Sequence, residues 1–301
     1  MPFRVTDASS SARLVAQVTA SQQRIAAAQE QVASGKRINR PSDDPAGTGV
    51  VLRVRTAQAA MEQFNESAGA ARETLAAGDG AIEAYELALD RARALLSQGV
   101  SDTTSSSARK VIATEIDSLR GHVLGLANQR HGDQFLFGGT RQEAAPYDSN
   151  GTPAAGAASR QTVQIDPEGG LLATGVTAGE VFADENGVVF DALSNAAAAL
   201  RGTGDPVADR AALLASMDHL AGLADRARAA RGQIGAGLQM AESTTGQLEQ
   251  RSLDLEETAQ RVEAADFAEA AVRLIESQRA FEAILQTRAA TGRRSLIDLL
   301  G

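Results

Sequence analysis

Apolar residues recur at both ends of the chain in alternating steps of four and three, the heptad pattern of a helix that packs along another helix. Near the N-terminus this pattern predicts a helix over residues 12–38. Its seam consists of Leu14, Val18, Ser21, Ile25, Ala28 and Val32. A matching C-terminal seam consists of Phe267, Ala271, Leu274, Gln278, Phe281 and Leu285, and the apolar residues Leu296, Ile297, Leu299 and Leu300 follow it. Because the two seams are similar, we predict that the terminal helices lie side by side.

The same spacing continues through the middle of the chain. One seam covers residues 50–96, roughly 70 Å of helix at 1.5 Å per residue. A third helix carries a seam over 112–126 and, after a short turn, should fold back antiparallel. A long helix then begins near Val207, and its seam keeps the spacing from Ile234 to Val262. The predicted fold class is therefore mainly α: an elongated antiparallel helical bundle or coiled-coil rod formed by both chain ends.

Helix boundaries are marked where the first seam ends. Ser34-Gly35 should weaken the first helix, and Pro41 should end it. Asp44 suits an N-cap position and Pro45 the first helical position, where its missing N–H is not needed. The sequence thus predicts a break between the terminal helix and the central one.

Between residues 132 and 190 the chain changes to short apolar runs separated by Gly, Pro and Asp. Gln134–Phe137 and Val181–Phe182 predict strands, and Asn186-Gly187 is a hairpin signal. We therefore predict a small β-rich insert carried on the rod. The predicted domains are the terminal helices at 1–42 plus 264–301, the helical rod at 43–131 plus 191–263, and the insert at 132–190.

Composition narrows the possible functions. The formal net charge of −9 argues against nucleic acid as the main partner, since a phosphate binder needs a basic face. The absence of cysteine excludes disulfides, thiolate metal sites and a cysteine nucleophile. The N-terminus has no apolar region typical of a cleaved secretory signal, and no apolar run reaches the length of a membrane-spanning helix.

Residues with catalytic or metal-binding potential are scattered. His122, His131 and His219 are not spaced as metal ligands, and we interpret each as an ordinary surface or helix-face residue. We expect no catalytic, metal or cofactor site. Two terminal helices that pair alone would leave Phe267 and Phe281 partly wet, so we predict packing between subunits and interpret the protein as a structural, self-assembling subunit.

Three segments carry distinctive motifs. They are residues 32–47 (VASGKRINRPSDDPAG), residues 128–140 (NQRHGDQFLFGGT), and residues 263–270 (EAADFAEA) through the final LIDLL. Together they resemble the bacterial flagellin family, and most closely its hook-associated branch, over about residues 1–147 and 207–301. The signature residues are Ser34, Gly35, Arg37, Ile38, Asn39, Pro41, Ser42, Asp43, Asp44, Pro45, Phe135, Leu136, Phe137 and Gly139.

The resemblance implies a ring of identical subunits that joins the flagellar hook to the filament and supports motility. It implies contacts with another hook-associated junction protein and with flagellin, and an export chaperone bound to the C-terminal region. It also implies type III export without a cleaved signal, an extracellular location, and terminal helices that are disordered before assembly. No nucleic-acid or membrane partner is expected.

Two other functions stay open. A short flagellin that builds the filament itself would share both helical ends and would form long filaments alone when purified. A cell-wall-acting enzyme could carry its active site in the insert, although residues 132–190 contain no histidine. Hydrolase activity lost on mutation of an insert carboxylate would favour this enzyme.

Overall fold

A computed structural model describes the backbone of residues 3–156 and 158–300 and the side chains of residues 12–156 and 158–287. The fold is 72% helical with small antiparallel strand pairs, which confirms the predicted mainly α class. The helices of this part of the chain are α1 Phe3–Ser34, α2 Pro45–Val100, α3 Ser106–Ala127, α4 Ala178–Phe182, α5 Val189–Arg201, α6 Pro206–Glu263 and α7 Phe267–Leu300. The strands are β1 Arg130–His131, β2 Gln134–Phe135, β3 Thr162–Gln164, β4 Leu171–Ala173, β5 Ala183–Asp184 and β6 Gly187–Val188.

Local capping fixes the break between α1 and α2. Gly35 has a φ of +68°, a left-handed conformation that ends α1 at Ser34. The predicted continuation of this helix to residue 38 is therefore wrong. Asp44 Oδ1 accepts from the Gly47 amide at 2.8 Å, and α2 begins at Pro45, as the capping signals predicted.

The chain divides into two compact units, and the first consists of Met1–Ala59 and Ser252–Gly301. In this unit α1 packs along α7. The two helices are antiparallel, because α1 ends where α7 begins. The start of α2 and the end of α6 also lie side by side: Gln58 Nε2 donates to Glu256 Oε2 at 2.9 Å. The predicted pairing of the two terminal helices is confirmed.

The second unit, Ala60–Arg251, contains most of the buried core. Within this unit Met61 and Phe64 of the α2 seam are half-buried. From Ala68 onward the seam is buried, at Ala68, Ala71, Leu75, Gly78, Ile82, Tyr85, Leu89, Ala92 and Leu96. Helix α3 folds back beside α2, where Arg91 Nε donates to Glu115 at 2.8 Å. Helix α6 runs antiparallel to α2, and Arg231 joins the two helices through Asp79 and Glu86.

The insert contains less strand than its apolar runs predicted. Its strands form three separate antiparallel pairs, β1–β2, β3–β4 and β5–β6. A hairpin is present here, but its two-residue loop is Glu185-Asn186, because Gly187 already pairs with Asp184. Val181–Phe182 belongs to α4, so the strand prediction there is wrong. The reason is a capping box: the Glu180 carboxylate accepts from the Thr177 amide at 2.7 Å and begins a helical turn.

Aromatic side chains anchor the insert within the second unit. The Phe182 ring centroid lies 4.6 Å from that of Tyr85 of α2 and 5.1 Å from that of Phe137. Tyr147 stacks edge-on against Phe190 with centroids 4.9 Å apart. These apolar residues are therefore used to pack the insert onto helices rather than to build a sheet.

Candidate assembly site

The paired helices α1 and α7 hold the predicted assembly residues. Seven of these side chains are half-buried: Leu14, Val18, Ile25, Val32, Ala271, Leu274 and Phe281. Two are exposed, Phe267 by 66% and Leu285 by 42%. Leu296 and Leu299 lie outside the residues whose side chains the structure describes. Among the described side chains of the pair, the most buried are small residues, Ser21, Ala28 and Ala270, which let two helices approach closely.

Several large apolar side chains of this helix pair face solvent. They are Val15 (55% exposed), Phe267 (66%), Val272 (53%), Ile275 (48%) and Leu285 (42%). Single exposed apolar residues are ordinary on a protein surface. Here, however, four of the five described residues lie within 267–285 of α7. The geometry therefore leaves apolar surface available for a partner.

The break after α1 and the break after α6 meet in a joint, which we define as residues 34–47 and 262–266. The Arg37 amide donates to the Glu263 carbonyl at 2.7 Å, and the Ala265 amide donates to the Gly35 carbonyl at 3.0 Å. Lys36 and Ala264 thereby form an antiparallel bridge. The two breaks in the helices are thus bonded to each other through their backbones.

Glu263 concentrates the ionic contacts of the joint. Its carboxylate accepts from Lys36 Nζ at 2.8 Å and from Arg55 at 2.5 Å, and its side chain is only 12% exposed. Arg37 adds a hydrogen bond to the Val262 carbonyl at 3.1 Å and an ion pair with Asp44 at 3.1 Å. Heptad spacing does not single out Glu263, Lys36 or Arg55. The available sequence signal was the step of five residues from Val262 to Phe267, which interrupts the heptad pattern.

The acidic pair of the Arg-Pro-Ser-Asp-Asp-Pro motif organises the loop within the joint. Asp43 Oδ2 accepts from the amides of Asn39 and Arg40 at 3.1 and 2.8 Å, which fixes the turn before α2. Asp44 instead caps α2. The Gly47 amide and Arg37 lower the pKa of Asp44, because both favour the charged carboxylate. The two adjacent carboxylates therefore have separate structural roles.

The other signature residues of this loop have simpler environments. Ser34 Oγ accepts from the Lys36 amide at 3.1 Å, and the Asn39 side chain donates to the Lys36 carbonyl at 3.0 Å. Ile38 is half-buried against Gly47, where an added Cβ would lie 2.6 Å from Ile38 Cδ1. Pro41 and Ser42 are exposed.

The second signature group lies in the other unit, at the base of the insert. The Phe135 amide donates to the Gln142 carbonyl at 2.8 Å, and the Phe137 carbonyl accepts from the Ala178 amide at 2.9 Å. Leu136 is buried, and Gly139 has a φ of +56°, where an added Cβ would lie 2.3 Å from the Ser159 carbonyl oxygen. This motif therefore directs the chain into the insert, whereas the first motif builds the joint.

Candidate chemistry is sparse in the part of the chain that the structure describes. Its residues contain no group of three His, Asp or Glu placed to hold a metal ion. His122 and His131 are exposed, but His219 is not an ordinary surface residue: its Nε2 lies 2.8 Å from Asp184 Oδ1, and its side chain is 12% exposed. None of the described helices is both long and apolar enough to span a bilayer.

The N- and C-terminal helices pair antiparallel, and the joint bonds the two helix breaks to each other. The chain is thus an α-helical protein whose N- and C-terminal segments fold as one unit. Residues 6–142 match the family described as the bacterial flagellin N-terminal helical region. Over these residues the chain is similar to the bacterial flagellins, which confirms the resemblance carried by its motifs.

Individual relatives give the same relationship. The chain is 27% identical over 154 residues to flagellar hook-associated protein 3 of Salmonella typhimurium. This aligned region covers 51% of this chain and 48% of that protein. It is 34% identical over 92 residues to a flagellin of Listeria monocytogenes, covering 31% and 32%. The chain thus aligns with about half the length, or less, of these curated relatives.

A solved structure extends the comparison of folds. A putative flagellar hook-associated protein from Vibrio parahaemolyticus superposes with a TM-score of 0.68 at 19% identity, over 73% of this chain and 99% of that one. At this identity the likeness establishes the fold.

Proposed function

We propose that the chain is a structural subunit of the bacterial flagellum that joins the hook to the filament by self-assembly. The observation that carries this proposal is the concentration of exposed apolar side chains on the paired helices α1 and α7. Burying Phe267 and Ile275 against neighbouring subunits would remove apolar surface from water, the main favourable term in most protein association. The relationship to hook-associated protein 3 favours the junction role.

We propose a separate role for each of the three predicted domains. Residues 1–42 with 264–301 would form the assembling part, 43–131 with 191–263 the helical rod, and 132–190 the outer insert. The proposed partners are identical subunits, another hook-associated protein and flagellin, with an export chaperone at the C-terminal region. We infer further that the chain is exported without a cleaved signal and that it is not an enzyme.

A deletion strain tests the junction role directly. The junction proposal expects intact hooks and flagellin released into the medium, because filament subunits would lack an attachment point. If the chain is instead the flagellin of the filament, the deletion strain should have intact hooks, no filament and no other flagellin in the medium. A purified chain that polymerises into long filaments alone would favour that alternative, and either of these results would contradict the junction role.

Replacing Ile275, which is 48% exposed on α7, by Asp tests the self-assembly surface. We expect a soluble, helical monomer that does not restore motility to the deletion strain, because an unpaired charge buried at an apolar contact is costly. Leu171→Asp is a matched control on β4 of the insert, where an apolar residue is 60% exposed, and it should swim normally. Normal swimming by the Ile275→Asp variant would contradict packing of this face of α7 in the assembly.

A further inference from the structure

The β3–β4 hairpin of the insert lies against a part of α6 that is rich in glycine. This glycine-rich stretch, residues 232–246, contains Gly232, Gly235, Gly237 and Gly246. Each glycine makes the helix less stable than alanine would, because more backbone entropy is lost when glycine is ordered. We propose that the hairpin is a strap that keeps this stretch helical, so that α6 opens there first when the strap is released.

The strap belongs entirely to the second unit, residues 60–251. It therefore makes no demand on the terminal helices, whether these are ordered or disordered before assembly. It is also independent of which flagellar structure the chain forms.

The base of the hairpin contacts α6 near Gly237. Leu172 of β4 is 3% exposed, and its Cδ1 would lie 3.7 Å from a Cβ added at Gly237. Leu75 of α2 reaches the same position at 3.2 Å, so side chains of the rod and of the insert meet at this glycine. Arg160, which precedes β3, adds a hydrogen bond to Gln233 at 2.5 Å. The base of the hairpin thus holds the glycine-rich stretch directly.

The tip of the hairpin contacts α6 beyond this stretch. Asp166 Oδ1 accepts from the amides of Glu168 and Gly170 at 2.9 and 2.8 Å, which fixes the turn between the strands. The Glu168 carboxylate then accepts from Arg251 at 2.9 Å. From Gly237 to Arg251 the helix rises about 21 Å at 1.5 Å per residue. One hairpin therefore holds α6 both within and beyond the glycine-rich stretch.

The strap is weak enough to be released. Glu168 is 73% exposed and Arg251 is 42% exposed, and an ion pair at such a surface contributes little. Strands β3 and β4 form a two-stranded sheet of their own, and an isolated hairpin of this kind is marginally stable in water. The hairpin and the glycine-rich stretch thus stabilise each other.

Hydrogen exchange on the full-length Glu168→Arg variant tests the proposal. The change replaces an attraction at Arg251 by repulsion between two cations. We expect amides of residues 238–251 to exchange about threefold faster, the size of effect that an exposed pair allows. Adding Arg251→Glu reverses the pair and should restore the wild-type rate. Glu143→Arg is the matched control, an equal change of charge at another exposed carboxylate of the insert, and should leave residues 238–251 unchanged.

A second set of variants tests the role of the glycines. Gly232→Ala and Gly235→Ala, combined with Glu168→Arg, should return the exchange of residues 238–251 to about the wild-type rate. The reason is that alanine strengthens a helix, and an added Cβ meets nothing within 4 Å at either position. Acceleration that persists in this combination would show that α6 does not open at its glycines.

Other outcomes would overturn the strap itself. They are unchanged exchange in Glu168→Arg, an equal effect of Glu143→Arg, or a reversed pair that does not restore the wild-type rate. Exchange of residues 82–96 in the α2 seam reports whether each variant is folded. If Glu168→Arg disturbs these residues, Glu168→Gln replaces it, because glutamine removes the charge without reversing it. It should accelerate residues 238–251 by about twofold, and no acceleration would reject the strap.

Discussion

Arg231 of α6 binds three carboxylates that α2 presents at spacings of four and three residues. Its guanidinium donates to Asp79 at 3.0 and 3.2 Å, to Glu86 at 3.0 Å and to Glu83 at 3.5 Å. The hydrogen bonds from Arg231 to Asp79 and Glu86 raise the pKa of the guanidinium above its usual value. We predict that Arg231→Met lowers the free energy of unfolding of the second unit by about 2 kcal/mol.

The magnitude follows from the exposure of each partner. A hydrogen bond to a charged group contributes about 1.5–3 kcal/mol, whereas an exposed ion pair contributes about 0.2–1 kcal/mol. Arg231 is 32% exposed, with Glu86 at 18%, Asp79 at 33% and Glu83 at 59%. We therefore assign about 1 kcal/mol each to Glu86 and Asp79 and little to Glu83. Methionine keeps an aliphatic stem, which separates the charge from the packing.

Urea unfolding followed by circular dichroism measures this loss, and hydrogen exchange over residues 60–251 locates it. Arg228→Met is the control, because Arg228 pairs only with Asp225 of the same helix and both are exposed; it should change stability by less than about 0.5 kcal/mol. Added salt should reduce the difference between the two variants. If Arg231→Met matched Arg228→Met, the reasoning from shared carboxylates would be refuted.

Two further predictions concern stability. Gly232→Ala and Gly235→Ala should each raise the free energy of unfolding in urea by about 0.5–1 kcal/mol, because an added Cβ meets nothing within 4 Å at either helical position; a decrease would mean that these glycines are needed. Burial raises the pKa of the Asp184 carboxyl. The hydrogen bond from the Asn186 amide and the contact with His219 lower it by more, so the net shift of this pKa is downward. A carboxyl group with a lowered pKa stabilises the fold at a pH above its unfolded-state pKa of about 4. This stability is lost as the pH falls through the folded-state pKa. Asp184→Asn should flatten this acid-side loss in urea titrations from pH 6 to pH 3, and an unchanged pH profile would contradict the assignment.

The long helices were predictable because one physical rule governs them. The α2 seam from Ala68 to Leu96 is buried at every heptad position, since a helix packed along others must hide one stripe. The N-cap at Asp44 was equally predictable from the sequence, because an N-cap depends only on its neighbours in sequence.

The insert and the joint were less predictable because their structure depends on distant residues. The apolar run Val181–Phe182 could be buried equally well in a strand or in a helix, so its apolarity does not distinguish the two. Its helical turn is set by Thr177 and Glu180 upstream. The roles of Lys36 and Arg55 follow from meeting Glu263, more than 200 positions away in sequence, which periodicity does not report. Heptad spacing thus indicates which residues pack, but not which segments meet at a break.

The heptad seam and the surface left for assembly share only two of the described residues, Phe267 and Leu285. Pairing of α1 with α7 already half-buries Leu14, Ala271 and Leu274, so the seam is largely used inside the subunit. Their immediate neighbours Val15, Val272 and Ile275 remain about half exposed. One residue along a helix is a rotation of about 100°, so these side chains lie on a neighbouring face. Assembly through the terminal helices would then use mainly the faces beside the seam, while most of the seam holds the two chain ends together.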